Sequence, residues 1–256
     1  MKKTPAPATL LAISLCLATA TTALHAQDFP AGKPITIVVP FAAGGPTDRV
    51  ARDLAEAMRK PLDGTSIVID NAAGAGSTIG NAKVARARAD GYTLLLTHVG
   101  MATTPVLYRK LPYNYETDFE YLGLINDVPM TVIGKPQLEA GSFKELRDWI
   151  AKNPGKTNLG NAGIGSASHL CGLLLQSELK AEMTTVPYKG TAPAITDLIG
   201  GQIDLLCDQT TNTTPQIQAK KVKAFAVTTP QRLALPMLKD LPTLDEAGLK
   251  NFQVTI

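Results

Sequence analysis

Short apolar runs alternate along the chain with segments whose apolar residues recur every three or four positions. The first run covers residues 35–39, and Val50, Leu54 and Met58 follow it at helical spacing. A continuous run such as 94–96 is typical of a strand that is covered on both faces, as in a mostly parallel sheet. The alternation therefore predicts an α/β fold.

The same pattern gives approximate bounds for each element. Residues 142–145 read as a capping box that starts a helix, and Pro215 is expected in the first turn of a later helix. We predict strands at 35–39, 66–69, 92–97, 130–133, 159–161, 184–186, 203–206 and 224–227. We predict helices at 47–59, 78–89, 143–152, 170–179 and 192–199.

Four loops rich in glycine or polar residues each follow a predicted strand and precede a predicted helix. They cover residues 40–48, 73–77, 163–169 and 187–190. Gly44 and Gly45 allow the backbone to approach a ligand closely, and Thr47 is a good N-cap residue. The free N–H groups and the dipole at a helix start attract an anion. In open α/β sheets ligands bind beyond the carboxyl ends of the strands, so two facing sheets would place these loops around one cleft.

The N-terminus has the form of a secretory signal peptide. Lys2 and Lys3 precede a short apolar stretch, and the expected cleavage follows Ala26, which sends the mature chain to the periplasm. Loss of the two lysines lowers the basic residues from 25 to 23 against 22 acidic ones, a formal charge of about +1. This near-neutral charge, without a basic cluster, argues against nucleic acid and polybasic membrane contacts as partners.

Cysteine and histidine are scarce in the mature chain. Cys171 and Cys207 can close a disulfide in an oxidising compartment, although two separate buried thiols remain the alternative. His98 and His169 are the only mature histidines, and no metal-binding or nucleotide-binding motif is present. We therefore expect no metal and no cofactor.

Seven short motifs occur in a fixed order over nearly all of the mature chain. They are PFAAGGPTD (40–48), GAGSTIG (74–80), DGYTL (90–94), GSASHL (165–170), VPYKG (186–190), GGQID (200–204) and LPTLDEAG (241–248). Together they resemble the Bug family of periplasmic solute receptors, which serve tripartite tricarboxylate transporters. The resemblance implies a monomeric, two-lobed type-2 periplasmic binding fold, with two mostly parallel sheets flanked by helices around a hinged cleft. It also implies capture of a small organic acid and its delivery to a membrane permease.

The resemblance also implies a domain layout and a set of ligand-binding residues. Lobe 1 would cover 27–128 and lobe 2 would cover 129–229, with hinges near 127–130 and 228–231. Residues 230–256 would return to lobe 1 and end early, as in a truncated member. The implied ligand-binding residues come from both lobes: Phe41, Ala43, Gly44, Gly45, Thr47, Asp48, Ser77, Thr97, His98, Ser166, Ser168, His169, Tyr188, Lys189, Gly190, Thr191 and Asp208.

Several alternatives remain open at this stage. Ser166 or Ser168 with His169 could serve a periplasmic hydrolase, although the sequence around them is not a nucleophile elbow. A sensor that presents its closed form to a membrane kinase is a further alternative to transport. Asp208 either binds an ammonium or hydroxyl group of the ligand or caps the next helix. Asp48 is expected to orient its loop, since a carboxylate would repel an acidic ligand.

Overall fold

The computed structural model describes residues 29–30 and 32–256, so the predicted signal peptide lies outside the described residues. The strands are β1 (Ile35–Val39), β2 (Ile67–Asn71), β3 (Thr93–Leu95), β4 (Met130–Gly134), β5 (Asn158–Asn161), β6 (Thr184–Pro187), β7 (Leu205–Gln209) and β8 (Lys223–Val227). The helices are α1 (Pro46–Arg59), α2 (Thr78–Ala85), α3 (Gly100–Leu107), α4 (Phe143–Lys152), α5 (Ala167–Leu179), α6 (Thr191–Ile199) and α7 (Thr210–Gln218). The predicted α/β fold is confirmed.

The first sheet is parallel and has the strand order β2-β1-β3. Its central strand buries Ile37 and Val39 in a small core that also contains Ala51 of α1. All three strands therefore end at the same edge, where β1 leads into the loop before α1 and β3 leads toward α3. This edge carries the first group of functional candidates.

The second sheet has the strand order β6-β5-β7-β4-β8 and is mixed rather than mostly parallel. Strand β5 is parallel to β6 and β7, whereas β4 runs antiparallel to β7 and β8. The apolar pattern missed this because burial on both faces does not depend on strand direction. As a result, the start of β4 lies at the same edge as the end of β7.

Several predicted bounds need correction. Helix α1 is capped by Gly45 in an extended conformation, with Pro46 at its first position, so Thr47 lies inside the helix and is not its cap. Helix α2 ends at Ala85, earlier than predicted, and helix α3 was not predicted because it contains Pro105. Pro215 lies in the interior of α7, not in its first turn.

Two helix caps follow the sequence rules closely. The Ser142 hydroxyl accepts a hydrogen bond from Glu145 N, and the Glu145 carboxylate accepts one from Gly141 N. The Ser166 hydroxyl accepts a hydrogen bond from His169 N at the start of α5, which begins three residues earlier than predicted. These caps satisfy donors that the first helical turn would otherwise leave unpaired.

The last residues of the chain pack against the second sheet. Leu244, Leu249 and Phe252 belong to the hydrophobic core that packs against one face of this sheet. Ile256 pairs with Val128 through two backbone hydrogen bonds. These contacts join the segment to the second sheet and to Val128, and the return of residues 230–256 to lobe 1 stays a prediction.

A disulfide joins Cys171 of α5 to Cys207 of β7, with a Cα–Cα distance of 6.2 Å. Both residues are fully buried. Of the two arrangements left open by the sequence, the structure thus has the bridged one. Among the described residues no helix has the length and apolar character needed to cross a membrane.

Candidate functional site

A cavity of about 10 Å³ lies between the edges at which the two sheets present their strand ends. Residues that follow β1 and β3 line one wall, and residues that follow β5 and β6, end β7 or begin β4 line the other. The lining residues are Phe41, Gly45, Pro46, Thr47, His98, Met130, Ala162, Ala167, Ser168, Thr191, Asp208, Gln209 and Ile256. Of the four loops predicted around one cleft, 40–48 and 163–169 line this cavity, whereas no residue of 73–77 or 187–190 does.

Four helices begin at this cavity. Helix α1 contributes Pro46 and Thr47, α5 contributes Ala167 and Ser168, α6 contributes Thr191, and Gln209 is the N-cap residue of α7. The N-cap residues of α1, α6 and α7 make no side-chain capping bond. The first N–H groups of a helix have no intrahelical partner, and the positive end of the helix dipole adds to their attraction for anions.

Asp48 fixes the loop before α1 instead of facing the cavity. Its Oδ2 accepts hydrogen bonds from Gly44 N at 2.9 Å and Arg52 Nε at 3.0 Å, and its Oδ1 accepts one from Arg52 Nη2 at 3.0 Å. Burial of the carboxyl group opposes ionisation, but the hydrogen bonds from Arg52 and Gly44 together leave the pKa of Asp48 below its usual value. The ionised carboxylate thereby holds the glycine loop in place.

Phe41 and His98 form a stacked pair on the wall of the first sheet. Their ring centroids are 4.5 Å apart and the ring planes differ by 13°. His98 Nδ1 accepts a hydrogen bond from Gly100 N at 3.3 Å, which assigns the ring proton to Nε2. Burial lowers the pKa of His98 to about 4, so the ring is neutral at neutral pH. His98 therefore lines the cavity as a neutral aromatic ring whose proton is on Nε2.

Asp208 is the acidic residue of the opposite wall, and it is 1% exposed. Its Oδ1 accepts a hydrogen bond from Gln209 N at 2.8 Å, and its Oδ2 accepts one from Asn212 Nδ2 at 2.5 Å. Burial raises the pKa of Asp208 to about 6, although these hydrogen bonds act in the opposite direction. A conventional cap would bond the second or third N–H of α7, and Asp208 does neither.

Ser166, Ser168 and His169 are arranged for structure rather than for nucleophilic attack. Ser168 Oγ accepts a hydrogen bond from Ala162 N at 2.7 Å, and His169 Nδ1 accepts one from Gly165 N at 3.2 Å. No hydrogen bond joins the His169 ring to either serine in the part of the chain that the structure describes. A nucleophilic serine needs an adjacent base, and this ring does not provide one.

The structure brings together seven of the residues expected at the site and leaves ten outside the cavity wall. The seven that line the cavity are Phe41, Gly45, Thr47, His98, Ser168, Thr191 and Asp208. The ten that do not are Ala43, Gly44, Asp48, Ser77, Thr97, Ser166, His169, Tyr188, Lys189 and Gly190.

Some of the residues outside the wall have clear structural partners. Tyr188 donates a hydrogen bond to Asp197 at 2.7 Å, and burial with this bond raises the pKa of Tyr188 to about 12. Ser77 accepts a hydrogen bond from Asn81, and the Lys189 carbonyl accepts one from Ala42 N at 2.9 Å. These residues support the loops that form the cavity.

Four lining residues lie outside the loops predicted around the cleft: Met130, Ala162, Gln209 and Ile256. Pro46 and Ala167 belong to those loops but were not singled out as ligand-binding residues. Gln209 directly follows Asp208, and its position at the end of a strand could have identified it. Met130 and Ile256 carry no such signal, because apolar residues of this kind normally fill a core.

The two walls touch directly beside the cavity. Thr103 Oγ1 donates a hydrogen bond to the Gly165 carbonyl at 2.6 Å, and Tyr108 OH donates one to the Ile164 carbonyl at 3.2 Å. Gly76 lies so close to the Ile164 carbonyl that a side chain on it would overlap this oxygen. The cavity thus has room for about one water molecule, and an organic acid can enter only when the walls separate.

Comparison with known proteins agrees with this geometry. Residues 50–256 match the family described as the tripartite tricarboxylate transporter family receptor. The chain is 51% identical over 231 residues to a UPF0065 protein of Agrobacterium vitis from the TAR-I ttuE-ttuC' intergenic region. That match covers 90% of this chain and 66% of the relative, so the chain spans just under two thirds of that relative's length.

Two solved structures are also similar. The periplasmic binding protein BugD is 55% identical, with a TM-score of 0.83 over 87% of this chain and 73% of that one. MatC from Rhodopseudomonas palustris, solved with bound malate, is 39% identical, with a TM-score of 0.81 over 87% of this chain and 75% of that one.

Proposed function

The chain belongs to the tripartite tricarboxylate transporter receptor family, and we propose that it captures a small carboxylate-bearing solute in the periplasm and delivers it to a membrane permease of that transporter type. In this proposal the protein binds its ligand without breaking a bond. The two lobes are residues 27–128 and 129–229, and the ligand binds between them. The malate bound to MatC supports a small organic acid as the ligand.

One observation carries this proposal: four helix N-termini meet at one cavity whose lining contains no Lys or Arg among the described residues. An anion in this cavity would be held by backbone N–H groups, helix dipoles and hydroxyl groups. Within each wall these groups are fixed by the fold before the ligand arrives, so the reorganisation on binding is confined to the movement of one wall relative to the other.

The closed cavity indicates how capture would proceed. The ligand would bind first to the loop before α1, which Asp48 holds in position, and closure would then add Ser168 and Thr191 from the other lobe. A ligand shifts the lobes toward closure only by its difference in affinity for the two states. Contacts made solely in the closed state therefore determine how tightly the solute is held.

The test is calorimetric titration of the mature protein with a panel of mono- and dicarboxylates, malate included, with native mass spectrometry to detect a co-purified acid. Gly45→Val adds a branched side chain to a residue that lines the cavity, where its Cβ would lie 3.2 Å from the Ala42 carbonyl oxygen and 3.9 Å from Ala192 on the other side of the cleft. We expect at least about a tenfold loss of affinity from this variant, with little change in melting temperature.

Gly123→Val is the matched control, because no atom lies within 4 Å of the position that its Cβ would occupy. This control should bind as the unmodified protein does. Unchanged affinity in Gly45→Val would exclude the α1 loop as a binding wall. Ester or amide turnover that disappears in Ser166→Ala would instead favour the hydrolase. Delivery to the permease is tested by solute uptake in cells that lack the receptor and are supplied with each variant.

A further inference from the structure

Asp208 presents an electrostatic problem that the proposed function leaves open. It is a buried carboxyl group in a cavity whose helix N-termini are suited to an anionic ligand. A ligand that offers only carboxylate oxygens would meet Asp208 as a like charge in a poorly solvated place. The carboxylate of Asp208 must therefore be paired with hydrogen-bond donors in the cavity.

The protein itself supplies only part of that pairing. Asp208 accepts hydrogen bonds from Gln209 N and Asn212 Nδ2, both of which are neutral donors. None of the ion pairs among the described residues includes Asp208. An ionised carboxylate can accept about four hydrogen bonds, so Asp208 retains capacity for a donor that enters the cavity.

A second polar group of the same wall lies beside Asp208. The Thr191 hydroxyl is buried, with 4% of the residue exposed, and it helps to lower the pKa of Asp208, although Oγ1 makes no hydrogen bond of normal geometry in the described part of the chain. Thr191 lines the cavity together with Asp208. Because buried polar atoms are normally paired, an incompletely paired carboxylate beside a hydroxyl group favours a polar ligand group at this wall.

The opposite wall differs in character. Phe41 and the neutral ring of His98 stack there, and α1 begins on the same wall. A ligand carboxylate suits this wall, because its described lining residues include no acidic side chain and the first N–H groups of α1 attract an anion. The two walls are therefore complementary to two different groups on one ligand.

We propose that Asp208 determines the specificity of the cleft by accepting a hydrogen bond from a hydroxyl or ammonium group that the ligand carries beside its carboxylates. This inference rests on the proposed function. The preferred solute is then a hydroxy- or amino-substituted organic acid, and an unsubstituted diacid is a poor ligand. At neutral pH Asp208 is mainly ionised, because its pKa is raised only to about 6.

The experiment compares three four-carbon diacids that differ at one carbon: succinate with no donor, malate with a hydroxyl group, and aspartate with an ammonium group. Each is titrated into the mature protein at neutral pH. We expect malate or aspartate to bind at least about tenfold more tightly than succinate, the effect of one hydrogen bond to a charged group. This comparison needs no variant and so does not depend on a variant's folding.

Asp208→Asn then tests the residue itself, since it keeps the shape of the side chain and removes the charge. We expect it to reduce the preference for the substituted acids to about threefold or less, because an amide oxygen accepts a weaker hydrogen bond than a carboxylate. Asp197→Asn is the control, because Asp197 bonds Tyr188 and does not line the cavity. This control should keep the full preference.

Three results would overturn the inference. Equal affinity for succinate and the substituted acids excludes selection by a donor. An undiminished preference in Asp208→Asn excludes Asp208 as its origin. Tighter binding of all three acids by Asp208→Asn shows that the Asp208 carboxylate repels the ligand instead of pairing with it. Failure of every carboxylate in the wider panel would instead remove the proposed function, and this inference with it.

Discussion

Thr103 Oγ1 donates a 2.6 Å hydrogen bond to the carbonyl oxygen of Gly165, and this bond joins helix α3 beside the first sheet to the glycine loop of the second. Tyr108 makes a similar bond to Ile164 from the end of the same helix. Neither Thr103 nor Tyr108 lines the cavity. They contact the opposite wall only while the cleft is closed, so they can change ligand affinity without touching the ligand.

The first prediction concerns these two bonds. The double variant Thr103→Val, Tyr108→Phe should favour the open state, because each lost hydrogen bond costs about 1 kcal/mol net. Small-angle X-ray scattering should show a larger radius of gyration, and affinity should fall by about tenfold or more. Thr103→Ser retains the hydroxyl group and should behave as the unmodified protein does. An unchanged radius together with unchanged affinity would show that the bonds do not stabilise closure.

Gly76 provides a separate test of closure. It has a φ of +60°, and a methyl group on it would overlap the Ile164 carbonyl and approach Tyr108 Oη. Gly76→Ala should therefore hold the walls apart and weaken binding. Gly64→Ala is the control, since Gly64 has a φ of +77° with no neighbour within 4 Å of its Cβ position.

Both substitutions place alanine in the left-handed region, at a cost of about 1 kcal/mol each. Equal melting temperatures with unequal affinities would therefore isolate the effect on closure. If Gly64→Ala weakens binding as much as Gly76→Ala, the loss comes from backbone strain and not from the blocked contact.

Asp48 should make stability depend on pH in acid. Its pKa is lower in the folded state, so its contribution is present above the unfolded pKa of about 4 and is lost as the pH falls through the folded value. Asp48→Asn should destabilise the protein by about 2 kcal/mol at neutral pH and remove this acid dependence. Urea unfolding at several pH values measures both effects.

Asp53→Asn is the control for Asp48, because Asp53 is exposed on the same helix and makes no side-chain hydrogen bond within the described residues. It should change stability by less than about 0.5 kcal/mol. Similar acid profiles for Asp48→Asn and the unmodified protein would contradict the role of Asp48.

The Cys171–Cys207 disulfide closes a loop with a sequence separation of 36 residues. On the loop-entropy account it contributes about 3–4 kcal/mol to stability. The double variant Cys171→Ala, Cys207→Ala should lower the melting temperature and should no longer respond to reductant. In the unmodified protein, reductant should act only where the protein unfolds, because both cysteines are fully buried. Equal melting temperatures of the two proteins without reductant would exclude a stabilising bridge.

His98 and Asp208 should have opposite effects on the pH dependence of stability. The folded pKa of His98 is about 4, below its unfolded value, so its contribution is lost as the pH falls from about 6.5 to 4. The folded pKa of Asp208 is about 6, above its unfolded value, so its contribution is lost as the pH rises from about 4 to 6. Between about pH 4 and pH 6 the two groups change the free energy of unfolding in opposite directions, so their contributions to its pH dependence largely cancel.

Without the Asp208 carboxyl group, the contribution of His98 to the pH dependence of the free energy of unfolding should become visible. In Asp208→Asn without ligand, the free energy of unfolding should rise with pH between about 4 and 6 by up to about 1.4 kcal/mol per pH unit more than in the unmodified protein. Every other titratable group is common to both proteins, so the difference between the two profiles reports Asp208. Parallel profiles would show that its pKa is not raised by burial.

Local sequence rules were most successful where a single segment determines the result. The capping box at Ser142 and Glu145, the apolar run of β1 and the helix behind it all form near their predicted positions. Helix α3 was missed because Pro105 normally ends a helix, and here its ring lies in an eight-residue helix that packs beside Gly76 and Gly165. Contacts with other segments outweighed the local preference.

The residues of the candidate site divide in the same way, into those that the local sequence identifies and those that only the fold brings together. Phe41, Thr47, Ser168 and Asp208 could be selected because loops that follow strands gather at one edge of a sheet. Asp48 could be assigned to the loop, since a carboxylate seldom faces an acidic ligand, and its bonds to Gly44 and Arg52 agree. The apolar members of the wall could not be distinguished from core residues by sequence.

The amino-acid sequence by itself determined the alternation of strands and helices, the glycine loops between them and the family. These depend on periodicity, on caps and on motifs within a few residues of one another, which a single segment contains. The tertiary structure alone decided the mixed direction of the second sheet, the pairing of Cys171 with Cys207, and the placement of His98 and Asp208 on opposite walls. Those relations join segments far apart in the chain, and only packing of the two sheets against each other sets their distances and their exclusion from water.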